Sequence, residues 1–295
     1  MTREFRLPER SDVPAIFGRL AISERDRQEI LAAWPSAETD PGTGRSLQRA
    51  YETLVADLGG FARLDLGARA AESTQLDRYF FVYVYLAALA DVRHFHAQRG
   101  IPDDISWATL ADLGRNLERD RDLFGYGGLR TSDWLTLHFR GSIYELGRLQ
   151  FNRMTIRAAY VADAFREGEP AIGIHIPDGA RLTPEACDDS FAGARPFFAR
   201  HFPETPIRPG ICTSWLLDPQ LSDYLAPDSN ILRFQRRFTL VGEGFDGDAD
   251  ILRFVFHRIA PGIDDLPQRT TLERAIVEHL RSGKHWRSRT GWLEL

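Results

Sequence analysis

His175 and Arg181 are the residues of the stretch AIGIHIPDGARLTPEACDDSF, residues 171–191, best suited to chemistry. A histidine exchanges a proton near neutral pH. An arginine close to a helix start can hold an anion beside the free N–H groups there. Gly179 lets the chain turn sharply between the two. Thr183-Pro184-Glu185 reads as a helix start, because Thr183 can cap, Pro184 suits the first helical position and an acid in the first turn complements the helix dipole. The spacing therefore suits a diphosphate site at a strand-to-helix turn. It also suits a well-capped helix that binds nothing, since Glu185, Asp188 and Asp189 would repel a phosphate. His175 is then either a base or an ordinary hydrogen-bonded strand histidine.

Other candidates lie on either side of this stretch. Glu145, in SIYELGRLQF, shares a predicted strand face with Ile143, Leu149 and Phe151. A carboxylate on an apolar face is either raised in pKa, and so suited to act as a base, or paired, here with Arg140 or Arg148. Ser214 follows Cys212 in GICTSW, where it could bond a thiol or a water, or cap the segment near Asp218. Tyr224, in PQLSDYL, is either a proton donor or ordinary core. Cys212 has no local cation to activate it, and a buried strand cysteine is the commoner case.

The elements that position these residues change in kind near residue 128. Before it, SERDRQEILAAW (with Ser23 as N-cap), SLQRAYETLVADLG, a long apolar helix ending at Gly100, and SWATLADLGRNLERDRDLFG form a helical bundle pattern. After the Gly-rich FGYGGLRTSDW, the chain reads as strands at 142–156, 159–168 and 171–177, a helix from Thr183 to about His201, a strand at GICTSWLLD and a helix at PQLSDYLA. Two strands, ILRFQRRFTLVGE and DILRFVFHRI, then precede a final helix, TTLERAIVEHLRSG. The fold class is α+β: a helical domain over 1–128, then over 129–295 a mixed, mostly antiparallel sheet flanked by helices. No GxGxxG, P-loop or GxSxG stands at a strand-to-helix turn.

Composition narrows the function further. The net charge of −5 gives no reason to expect nucleic acid or an anionic membrane. EHLRSGKHWRSRTGW is basic with two tryptophans, but reads better as a helix end and tail packing its indoles on the body than as a base-stacking surface. The two cysteines make neither a disulfide framework nor a zinc site, so no metal is expected, and a reducing cytoplasm is the simplest home. The N-terminus lacks a signal peptide's apolar region, and the longest apolar run, residues 79–90, is too short to span a bilayer.

Five stretches, LHFRGSIYELGRLQFNR, GIHIPDGARLTPEACDDSF, CTSWLLDPQLSDYL, SNILRFQRRF and RTGWLEL, resemble the GNAT-like C-terminal domain of a bacterial N-acyltransferase family. The helical first part resembles the N-terminal domain that accompanies it. This resemblance implies an enzyme that moves an acyl group from acetyl-CoA or another acyl-CoA to a small-molecule amine by direct attack. It implies that strand 171–177 holds the thioester through backbone at Ile174 and Ile176. Gly179, Ala180, Arg181, Leu182 and Thr183 would hold the CoA diphosphate, and Tyr224 would face the sulfur. His175 or Glu145 would be the base, with Ser214 beside the thiol. The helical domain would help choose the amine, and acids such as Asp133, Asp163 or Asp218 could attract it. The family loop usually reads Gln/Arg-x-x-Gly-x-Gly/Ala, and DGARLTP departs from it. That departure keeps open a non-catalytic GNAT-like ligand-binding or regulatory protein. A hydrolase using Ser214 or Cys212 with His175 is disfavoured by the missing nucleophile elbow.

Overall fold

Residues 4–36, 39–67, 73–157, 165–205 and 209–295 are described by a computed structural model. The chain divides into two compact units, Met1–Glu145 and Leu146–Leu295. The Gly-rich turn at which the composition changes lies inside the first unit.

The first unit is built on helices α1 (Val13–Arg19), α2 (Glu24–Ala32), α3 (Pro41–Ala56), α4 (Gln75–Arg78), α5 (Phe80–Gln98), α6 (Asp103–Leu110), α7 (Asp112–Phe124) and α8 (Ser132–Phe139). Ser23 caps α2 by accepting from the Asp26 N–H at 3.2 Å, as its sequence predicts. The run from Val82 to Leu89 is buried at every position, so α5 is the core helix around which the others pack. No helix of the described residues is long and apolar enough to cross a membrane. The segment 106–125, expected as one helix, is divided at Ala111, which serves as C-cap of α6 and N-cap of α7.

Strands β1 (Ile143–Leu146), β2 (Leu149–Thr155), β3 (Pro170–His175), β4 (Pro209–Ser214), β5 (Thr239–Asp246) and β6 (Arg287–Glu294) form one sheet in the order β1-β2-β3-β4-β6-β5. Helices α9 (Pro184–His201), α10 (Asn230–Gln235), α11 (Asp248–Phe256) and α12 (Thr271–Arg281) complete the fold. β3 and β4 are parallel, whereas β2–β3, β4–β6 and β5–β6 are antiparallel. α9 lies on the sheet face that carries Phe151, whose ring meets Phe191 edge-on at 6.1 Å. Strand alternation sends Gln150, Asn152, Gly173 and His175 to the opposite face.

Four expectations are corrected here. Residues 142–156 are not one strand: Gly147, at φ 75°, turns the chain between β1 and β2, so Glu145 does not share a continuous strand with Leu149 and Phe151. DILRFVFHRI is mostly helix α11, because Ile251, Leu252, Val255 and Phe256 fall on one helical face and join a single apolar cluster. The C-terminal segment is no tail: β6 is inserted between β4 and β5. Its Trp286 is fully buried and stacks on His279 at 3.9 Å. Residues 231–235, expected as strand, are helix α10, capped by Ser229, and β5 begins only at Thr239. The strand expected over 159–168 and the acid Asp163 lie largely or wholly outside the described residues.

Candidate functional site

The parallel pairing of β3 with β4 runs from Ile172 opposite Gly210 to Ile174 opposite Cys212. Both strands continue past it, β3 to His175 and β4 to Ser214. Backbone groups at this end of the pair are therefore outside the ladder, in the middle of the sheet. An extended ligand can enter a sheet here without displacing an existing strand pairing.

From β3 the chain passes through Ile176, Gly179, Ala180 and Arg181 to the start of α9. Gly179 sits at φ 120°, a conformation that a side chain would strain. Leu182 is buried and anchors the loop, while Ala180 and Arg181 are exposed. The Arg148 guanidinium donates to the Pro177 carbonyl at 2.9 Å and braces the loop from β2's side. Thr183 caps α9 by accepting from the Ala186 N–H at 3.3 Å, and Pro184 has no N–H to offer. Two of the donors that a helix start normally presents are thus removed. An anion at this turn would meet Arg181 and loop N–H groups more than the helix itself. Asp188, which would repel an anion, is ion-paired with Arg237, and the Arg237 guanidinium also donates to the Pro184 carbonyl at 3.3 Å.

On the sheet face away from α9, His175 Nε2 lies 2.7 Å from Asn152 Oδ1. Thr213 and Thr290, opposite each other on β4 and β6, share a hydroxyl hydrogen bond of 2.8 Å on the same face. A polar band from Asn152 through His175 to Thr213 therefore crosses the sheet where β3 and β4 part. Gln150, the strand partner of His175, adds a further polar group.

The remaining sequence candidates have contacts of their own. Glu145 belongs to the first unit, where its carboxylate accepts from Arg115 at 2.5 Å and its own N–H donates to the Thr109 hydroxyl at 2.9 Å. Arg115 is thus a partner of this carboxylate, while Arg140 is buried and pairs with Asp57. Ser214 caps the short 3-10 turn Trp215–Leu217, accepting from the Leu216 N–H at 3.1 Å. Tyr224 packs within the apolar cluster around Trp286, its hydroxyl 3.1 Å from His279 Nδ1. Cys212 is buried, and burial pushes its thiol up to about 12, which keeps it protonated and poorly nucleophilic. Asp218 is buried; its carboxylate accepts from the backbone N–H groups of Gln220 and Arg287 at 3.0 and 2.7 Å, and so ties the 3-10 turn to β6. Asp133 pairs with Arg63 at 3.6 Å in the first unit.

Asn152 was missed by the sequence reading. A neutral amide has no titration to draw notice, and its contact with His175 spans 23 residues of chain. A glycine inside a strand marks either a bulge or a close approach, and at Gly173 it is a close approach. A Cβ there would lie 2.1 Å from Asn152 Oδ1, so glycine makes room for that side chain.

Comparison with known proteins agrees with this geometry. Residues 143–293 match the family described as GNAT-like C-terminal domain, and residues 11–141 that described as N-acyltransferase N-terminal domain. Among solved structures, an acyltransferase in complex with decanoyl-CoA is 43% identical, with a TM-score of 0.92, over 99% of this chain and 90% of that one. An acyltransferase in complex with decanoyl-CoA and teicoplanin is 42% identical, with a TM-score of 0.91 and the same coverage. A complex with CoA and 10C-teicoplanin is 41% identical, again with a TM-score of 0.91 and that coverage. No curated protein matches the chain.

Proposed function

The chain belongs to the N-acyltransferases in which a GNAT-like domain follows an N-acyltransferase N-terminal domain, and on that premise we propose that it moves a medium-chain acyl group from acyl-CoA to an amine of a glycopeptide. The observation that carries the reading is the end of β3–β4 pairing at Ile174 and Cys212, directly before the loop that holds Arg181. The residues present fit acyl-CoA, with Arg181 and the Gly179–Leu182 backbone at the diphosphate and the β3 backbone from Ile174 to Ile176 along the thioester arm. Acyl-CoA, when bound, supplies an activated carbonyl and a thiolate leaving group. The acyl length and the acceptor class follow the ligands of the relatives, decanoyl-CoA and teicoplanin.

In the transfer the amine nitrogen bonds to the carbonyl carbon, the carbon–sulfur bond breaks, and one amine proton must leave. His175 takes that proton. It stands at the end of β3 where the strands part, and imidazole is matched to proton uptake near neutral pH. Backbone N–H groups around His175 and Ile176 supply donors to the carbonyl oxygen as its charge grows. Glu145, held by Arg115, supports β1; Ser214 shapes the turn after β4. Tyr224 is the remaining candidate for returning a proton to the thiolate. Relatives that bind acyl-CoA favour this enzyme over a non-catalytic binding protein.

The test is incubation with decanoyl-CoA and teicoplanin stripped of its acyl chain, read by mass spectrometry and thiol release. One added acyl group per acceptor, with thiol release that depends on the acceptor, supports the proposal. Thiol release at the same rate without any amine would replace it with hydrolysis.

A further inference from the structure

The amide of Asn152 has only one orientation that satisfies both its ends. Its Nδ2 lies 3.0 Å from the Arg153 carbonyl oxygen, an atom that can only accept. The nitrogen must therefore face that carbonyl, which leaves Oδ1 facing His175 Nε2 at 2.7 Å. An amide oxygen accepts and never donates, so the bond requires a proton on Nε2. Asn152 is held in place on all sides: it is buried, it stands opposite Gly173 in the β2–β3 register, and only a glycine there leaves its oxygen room.

We propose that Asn152 is a positioning residue that fixes His175 as the Nε2–H tautomer, with Gly173 as the gap through which it reaches, so that the histidine takes up the amine proton at Nδ1. This rests on the assignment of His175 as base. The chemistry balances within that assignment. Neutral His175 carries one proton, on Nε2, and a lone pair on Nδ1. The amine proton goes to Nδ1 as nitrogen bonds to carbon, and the resulting imidazolium still donates from Nε2–H to Asn152 Oδ1. A carbonyl-type oxygen stabilises that cation without becoming protonated. Were the tautomer free to switch, part of the population would hold its lone pair against Asn152 and be inactive.

Nitrogen NMR of the imidazole in the full-length wild type reads the tautomer directly, without any variant. A proton on Nε2 is expected, and a proton on Nδ1 overturns the inference. Asn152→Leu is expected to mix the tautomers and lower kcat about tenfold, the value of one ordinary hydrogen bond, with KM for acyl-CoA unchanged. Gly173→Ala is expected to give the same loss, because its Cβ would occupy the position of Asn152 Oδ1. Asn152→Asp is expected to restore kcat and to move the acid limb of the rate–pH profile upward, since a carboxylate favours the imidazolium. Wild-type kcat in Asn152→Leu, or an unmoved acid limb in Asn152→Asp, contradicts the inference. His175→Gln separates the two levels. Full activity there removes the base on which the inference rests, whereas a dead His175→Gln beside a fully active Asn152→Leu removes the positioning role alone.

Discussion

Ile174 stands opposite Cys212 at the last pair of the β3–β4 ladder, and β3 and β4 run on to His175 and Ser214 beyond it. This one relationship sets both halves of the proposed site. It frees β3 backbone for the thioester arm, and it brings His175 to the strand end next to the loop that carries Arg181.

Arg181 is exposed, and among the described residues no hydrogen bond or ion pair of its side chain is seen. Arg181→Glu should therefore leave thermal stability within about 0.5 kcal/mol of wild type. CoA affinity should fall roughly tenfold to a hundredfold, the range of a lost charge-assisted contact made worse by repulsion. Calorimetric titration with CoA measures it, and unchanged affinity would place the diphosphate elsewhere.

Arg237 screens Asp188 in the first turns of α9. The pair is partly exposed, so Arg237→Ala should cost less than about 1 kcal/mol of stability. Its larger effect should be on ligand, because the Asp188 charge then faces the diphosphate unscreened. Adding Asp188→Asn should restore CoA affinity. If the double variant binds as weakly as the single one, the arginine has another role.

Cys212 should be inert in the folded protein, since its thiol titrates only near about 12. Iodoacetamide at pH 8 should modify it only after unfolding, as read by peptide mass spectrometry. Cys212→Ala should retain acyl transfer. Cys212→Ser should lower stability by about 1–3 kcal/mol through a buried hydroxyl, again without abolishing transfer. Loss of all activity in Cys212→Ala would revive a covalent route.

The first unit should weaken in mild acid because of His96. Burial first, and the nearby Arg93 charge second, lower its pKa to about 3 from the usual 6.5. Between those values the folded histidine stays neutral while the unfolded one takes a proton. Its stabilising contribution is thus complete above pH 6.5 and is lost as pH falls, by about 1.4 kcal/mol per pH unit. Urea melts from pH 7 to 5 should show that slope in wild type and its loss in His96→Gln. Parallel slopes in the two proteins would assign the acid sensitivity to other groups.

Local signals were the most legible part of the sequence. Ser23 and Thr183-Pro184 each announce a helix start with side chains that bond their own backbone. Non-local pairing was much harder to read. In β6 the buried positions Ser288 and Thr290 are small and polar, and Gly291 interrupts the run, so its alternation carries almost no hydrophobic signal. In α11 aromatic and branched residues suggested a strand, and helical spacing prevailed because one face packs against Trp286 and its neighbours. At the site, His175 and Arg181 lie within one stretch and were visible. Asn152 belongs with them only through the β2–β3 register.

Acyl transfer to an amine, with His175 as base, is best tested on the reaction itself. The most direct measurement is amine-dependent thiol release from decanoyl-CoA, compared between wild type and His175→Gln at saturating acyl-CoA. Acceptor-dependent release is expected in wild type, with a loss of roughly a hundredfold or more in the variant and CoA affinity unchanged. Equal rates in the two proteins, or no acceptor-dependent release in wild type with any amine offered, would contradict it.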